Sequence, residues 1–110
     1  MRHPFLIKWE SQVKKGILEF IILILLSENE LYGYELIVKM KDHAKYDVAE
    51  GTIYPLLNRL KAEGLITSYW QEMDSGIPRK YYRVSKEGIR VLREMKSYWK
   101  ELGTNIEQLK

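Results

Sequence analysis

Apolar positions along this chain fall into three stretches with helical spacing, two strand-like runs and one long terminal seam. In the first stretch, from Ser11, Ile17, Phe20, Ile21, Ile24 and Leu25 share one helical face while Leu18, Ile22, Leu23 and Leu26 occupy most of the rest. A helix apolar nearly all round must be covered on more than one side. The pattern Tyr32, Leu36, Ile37, Met40 predicts a short second helix, and Ile53, Leu56, Leu57 and Leu60 predict a third. Gly64 is placed to end the third helix as a left-handed cap, and Asp47 and Glu50 have the spacing of a capping box at its start. Leu65–Glu72 and Lys80–Val84 are rich in β-branched and aromatic residues and flank a polar segment containing Gly76 and Pro78, which reads as a hairpin with a long tip. From Ser85, an N-cap residue, Leu92, Met95, Trp99, Leu102, Ile106 and Leu109 recur at alternating intervals of three and four, the seam of a helix packed along another helix.

The fold class that follows is mainly α with a small β-hairpin, in the order of a winged helix-turn-helix DNA-binding domain with a C-terminal dimerisation helix. Residues 1–10 read as an apolar N-terminal segment packing on the partner chain, residues 11–84 as the winged domain and residues 85–110 as the dimerisation helix. The seam residues Leu92, Met95, Trp99, Leu102, Ile106 and Leu109 are the expected dimer interface, because a terminal helix of this length outreaches a small domain and two-fold homodimers are the commonest soluble assemblies.

Composition narrows the chemistry. A chain of 110 residues is one domain's worth, and 45% hydrophobic with 30% charged residues is the make-up of a folded globular chain. The net charge of +3 tilts toward anionic partners without demanding them. The absence of cysteine removes disulfides, thiolate metal sites and cysteine nucleophiles, and His3 and His43 lie too far apart in sequence to suggest a zinc or catalytic cluster. No catalytic residue, metal or cofactor is therefore expected, and an enzyme is disfavoured because no nucleophile–base pairing is visible. The apolar run Gly16–Leu26 falls short of the about 20 residues that span a bilayer, and Glu19 interrupts it as a signal peptide. The expectation is a cytoplasmic protein with no membrane partner.

The face of the third helix opposite its apolar stripe carries Thr52, Tyr54, Asn58, Arg59 and Lys61. A helix fits the major groove; Arg59 and Lys61 are expected to anchor phosphates, and Tyr54 and Asn58 to reach base edges. Taken alone, the same face is that of any solvated amphipathic helix. The returning strand of the hairpin adds Arg79, Lys80 and Arg83 beside it, which gives the modest charge a location. A winged-helix protein-interaction module without specific DNA binding stays open as the alternative.

Four segments then carry a dense resemblance to a known family: Lys15-Gly-Ile-Leu-Glu-Phe-Ile-Ile-Leu23, Leu31-Tyr-Gly-Tyr-Glu-Leu-Ile37, Glu50-Gly-Thr-Ile-Tyr-Pro-Leu-Leu-Asn-Arg-Leu-Lys-Ala-Glu-Gly-Leu-Ile66 and Pro78-Arg-Lys-Tyr-Tyr-Arg-Val84. In these the chain resembles the PadR transcriptional regulators, from about Lys14 onward. The resemblance implies a homodimeric repressor that binds double-stranded DNA at a dyad-symmetric operator and leaves it on an inducer signal. Matched positions imply DNA contact by Tyr34 on the second helix, Thr52, Tyr54, Pro55, Asn58 and Arg59 on the third, and Arg79 and Lys80 on the wing. Ala49 stands where relatives often carry a capping serine, so Asp47 is expected to cap instead. With one helix after the wing, the chain looks like the short subfamily that includes multidrug-sensing regulators. Trp99 is similar to their pore tryptophan, which stacks flat aromatic inducers. Trp99 also reads as interface core at a seam position, the reading favoured because aromatic residues are frequent interface anchors without any ligand.

Overall fold

The computed structural model describes residues 1–109, in the order α1 (Pro4–Glu28), β1 (Leu31–Tyr32), α2 (Gly33–His43), α3 (Glu50–Ala62), β2 (Ile66–Gln71), β3 (Arg79–Val84) and α4 (Lys86–Glu107). This is the mainly helical winged-helix architecture, with a small antiparallel sheet of strand order β1-β3-β2. One core holds it together: Leu18, Ile22 and Leu23 of α1, Leu36 and Met40 of α2, Ile53 and Leu57 of α3, and Ile66 and Tyr82 of the sheet are all buried. Each buried aliphatic side chain contributes about 1.5–3 kcal/mol relative to exposure.

Helix α1 begins at Pro4 rather than at Ser11. His3 is its N-cap, with Nδ1 accepting from the Phe5 N–H at 3.0 Å, and Pro4 takes the first helical position, where no donor is needed. Pattern could not reveal these turns because they bury nothing in the chain: Phe5, Ile7 and Trp9 are exposed. Further along, Phe20, Ile21, Ile24 and Leu25 are half-buried against the core, so α1 is covered on more than one side, as its all-round apolarity demanded.

The hairpin has a third strand that the sequence pattern did not announce. Leu31 and Tyr32, expected to open the second helix, instead pair with Tyr82 and Tyr81 of β3. Two residues are too few for a period. Helix α2 starts at Gly33, and the Glu35 carboxylate accepts from the Tyr32 N–H at 3.2 Å.

Helix α3 starts at Glu50 with Ala49 as N-cap and no side-chain cap, so Asp47 does not take the expected role. Its first turn is closed by the Ala49 carbonyl, which accepts from Thr52 and Ile53. The far end follows expectation. Gly64 has φ +77°, its N–H donates to the Lys61 carbonyl and the Leu65 N–H to the Leu60 carbonyl, each at 3.0 Å, the paired bonds of a Schellman cap.

That cap is also where α4 is fixed. Ser85 Oγ donates to the Gly64 carbonyl at 2.6 Å and accepts from the Gly88 N–H at 2.9 Å, while the Ser85 N–H donates to the Leu65 carbonyl at 3.0 Å. The end of α3 and the start of α4 thus form one hydrogen-bonded joint.

Candidate nucleic-acid interface

At about 100° per residue, burial of Ile53, Leu57 and Leu60 turns Gly51, Pro55 and Ala62 to the outer pole of α3. Asn58 and Arg59 lie to either side of that pole. Tyr54 and Lys61 follow on the Asn58 side, and Thr52 on the Arg59 side. All of Thr52, Tyr54, Pro55, Asn58, Arg59 and Lys61 are exposed. Pro55 lacks the N–H that would have bonded the Gly51 carbonyl, so the outer surface near the helix start is lean in side chain and open in backbone.

The Asn58 side of α3 opens into a cleft of about 460 Å³ that gathers Tyr34 from α2, Tyr54 and Asn58 from α3, and Arg79 and Lys80 from β3. Five of the nine residues expected to touch DNA are therefore brought together. Thr52, Pro55 and Lys61 are exposed outside the cleft, Pro55 at the outer pole and Thr52 on the Arg59 side. The ninth, Arg59, faces the other way: its Nε and Nη2 donate to the two carboxylate oxygens of Glu19 on α1, at 3.1 and 2.5 Å. Arg59, expected to anchor a phosphate, is here held in an ion pair between α3 and α1.

The cleft is also lined by residues that sequence reasoning passed over. At Gly33 a Cβ would stand 2.8 Å from Cε1 and Cζ of Tyr54, so the glycine leaves room for the Tyr54 ring against the start of α2. Trp70 shares the inward face of β2 with Ile66 and Ser68, but the core ends at Tyr82 and the indole stays exposed. Its ring lies 5.8 Å from Lys80 Nζ, and the Tyr82 ring is equally near. Burial, with the neighbouring Tyr54 phenol, pushes the Tyr82 phenol above the usual tyrosine range. On the outer face of the sheet, Tyr32, Tyr81 and Tyr69 form a cross-strand row, with Arg79 stacked 4.5 Å from the Tyr32 ring and Arg83 4.6 Å from the Tyr69 ring. Cation–π contacts of this kind stiffen the wing and fix where Arg79 begins.

A second concavity, of about 670 Å³, runs between α1 and α4 and is almost wholly apolar. Ile17 and Phe20 line one wall, Met95, Trp99 and Leu102 the other, and Glu94 adds a carboxylate. Phe20 and Trp99 rings are 6.1 Å apart. Along the expected seam, the first positions are the more buried, and Leu102 is again half-buried after Trp99. Leu92 is used in the chain's own core and Met95 is half-buried, whereas Trp99 is 47% exposed and Ile106 56%. Leu109 is exposed and lies past the end of α4 at Glu107.

Among the described residues no cluster of histidine, cysteine and carboxylate side chains could hold a metal ion, and no helix is long and apolar enough to cross a membrane.

The sequence model of the transcriptional regulator PadR-like family matches residues 22–94. Among curated proteins, the chain is 35% identical to the transcriptional regulator Rv3488 of Mycobacterium tuberculosis over 80 residues, 73% of each chain. Among solved structures, it is similar to a PadR family transcriptional regulator from Eggerthella lenta, with TM-score 0.86, 36% identity and coverage of 94% of this chain and 90% of that one. A PadR-like transcriptional regulator from Bacillus cereus aligns with TM-score 0.78 and 40% identity over 90% of this chain and 99% of the other.

Proposed function

The chain belongs to the PadR-like family of transcriptional regulators, and from that premise we propose that it is a homodimeric repressor whose α3 and wing read a dyad-symmetric operator. The observation that carries the reading is the convergence of Tyr34, Tyr54, Asn58, Arg79 and Lys80 on one cleft. In this reading residues 11–84 are the DNA-binding unit. Asn58 and Tyr54 approach base edges, Pro55 and Thr52 set how closely α3 enters the major groove, and Tyr34, Lys61, Arg79 and Lys80 hold phosphates.

Dimerisation rests on the apolar surface a single chain leaves open. Trp99, Ile106 and Leu109 on one side, with the half-buried Leu102 between them, and Phe5, Ile7 and Trp9 at the start of α1 on the other, leave large apolar side chains exposed of the kind that marks an interaction surface. The partner's α4 is the occupant this reading assigns. The groove bearing Phe20, Trp99 and Glu94 has the chemistry to take a flat aromatic cation, whose binding would shift α4 and release the operator.

Mobility shift with the DNA upstream of the chain's own gene, combined with sedimentation of the free protein, tests the proposal. A dimer that retards this DNA more strongly than random DNA is expected. A stable monomer, or equal retardation of both, would refute it.

A further inference from the structure

We propose that Glu19 is a specificity-determining residue: it neutralises Arg59, so that the recognition helix enters the groove without a sequence-independent phosphate anchor at that position. The inference rests on the DNA-binding reading above and deepens it.

Arg59 lies beside the outer pole of α3, and its side chain is 63% exposed. Unpaired, a guanidinium there would meet phosphate on the groove wall toward α1 and strengthen binding to any sequence. Glu19 instead engages it through both carboxylate oxygens, a fork geometry that matches guanidinium well. The carboxylate is held firmly. It belongs to α1, whose neighbouring Leu18, Ile22 and Leu23 are anchored in the core, and its own side chain is only 28% exposed. Of the two cations on α3, Lys61 alone is left without an ion-pair partner among the described residues. Discrimination then falls on the neutral groups Asn58 and Tyr54 on the opposite flank. Specific binders gain selectivity both by making contacts to the right sequence and by withholding attraction from the wrong ones, and Glu19 does the second.

The test compares the full-length wild type with Glu19→Gln and with the double variant Glu19→Gln, Arg59→Gln, each bound to operator and to random-sequence DNA across a salt series. Glutamine keeps the shape and helix preference of glutamate and removes the charge. Freeing Arg59 is expected to steepen the plot of log affinity against log salt by about 0.9 per protomer, an extra loss of about 3.5-fold between 50 and 200 mM salt. Random DNA should bind more tightly at low salt, and the ratio of operator to random binding should fall. The double variant, with the same net charge as the wild-type pair, should keep the wild-type slope. A Glu19→Gln slope equal to or shallower than wild type, or a double variant shallower by about 0.9 per protomer, would overturn the inference, because Arg59 would then already lie on a phosphate. A wild type that retards no DNA even at low salt would overturn the DNA-binding reading as well.

Discussion

The joint between α3 and α4 makes a sharp forecast at Gly88. A Cβ at this position would overlap the Leu65 carbonyl oxygen, stand 2.7 Å from Cγ2 of Val84 and lie 3.0 Å from the Leu65 carbonyl carbon. Two of the three obstacles are backbone, so the helix must move. Moving α4 away stretches the bonds from Ser85 to the carbonyls of Gly64 and Leu65. Overpacking of this kind costs about 1–3 kcal/mol and each weakened hydrogen bond about 0.5–1.5 kcal/mol, against a helix-propensity gain of at most about 1 kcal/mol for alanine over glycine. Gly88→Ala is therefore expected to destabilise by roughly 1–3 kcal/mol. Gly103, on the same helix, has nothing within 4 Å of where a Cβ would stand, so Gly103→Ala should stabilise by up to about 1 kcal/mol. Urea unfolding at one fixed protomer concentration measures both, since a dimer's midpoint depends on concentration. A Gly88→Ala variant as stable as wild type would refute the packing argument, and so would two glycines that respond alike.

Three further outcomes follow from the same geometry. Gly51→Ala meets open space in the chain and should raise stability by up to about 1 kcal/mol while weakening operator binding, because the added methyl stands at the outer pole of α3; paired unfolding and mobility-shift measurements check it. Arg79→Ala or Lys80→Ala should weaken binding to all sequences with a shallower salt dependence, whereas Asn58→Ala should lower discrimination by about 1–3 kcal/mol at the base pair it reads, seen by competition with mutated operators. Planar aromatic cations should quench the Trp99 component of the fluorescence, and Trp99→Ala should abolish that change while sedimentation still reports a dimer; no quenching across a broad panel would leave Trp99 a structural residue.

What the sequence revealed of the fold is what periodicity can encode. Of the stripe Ile53, Leu56, Leu57, Leu60, all but the half-buried Leu56 became the buried face of α3, Gly64 took the left-handed cap, and Ser85 capped α4. These features are local, and their residue types have few other uses. The features that escaped are set by distant partners or by surface that a single chain does not bury. Strand β1 exists only because Leu31 and Tyr32 find Tyr82 and Tyr81 late in the chain. The first turns of α1 have no buried stripe to announce them. Trp70 alternates correctly with Ile66 but runs past the edge of the core, which alternation cannot sense.

The candidate interface divides in the same manner. The polar face of α3 and the basic returning strand were legible because they are contiguous in sequence. That Tyr34 joins them in a cleft, and that Gly33 makes room for Tyr54, depends on how α2 meets α3. Arg59 is the clearest case. Its position on the helix was legible, but its partner lies 40 residues earlier, on a helix whose apolar sequence drew attention only to burial.

Hydroxyl-radical footprinting of the wild-type protein on the DNA upstream of its gene tests the central claim most directly. Two α3 helices held by one dimer should protect two symmetric half-sites with centres about 34 Å, one helical turn, apart, or a multiple of that spacing. A single isolated half-site, or no protection even at low salt, would contradict the account.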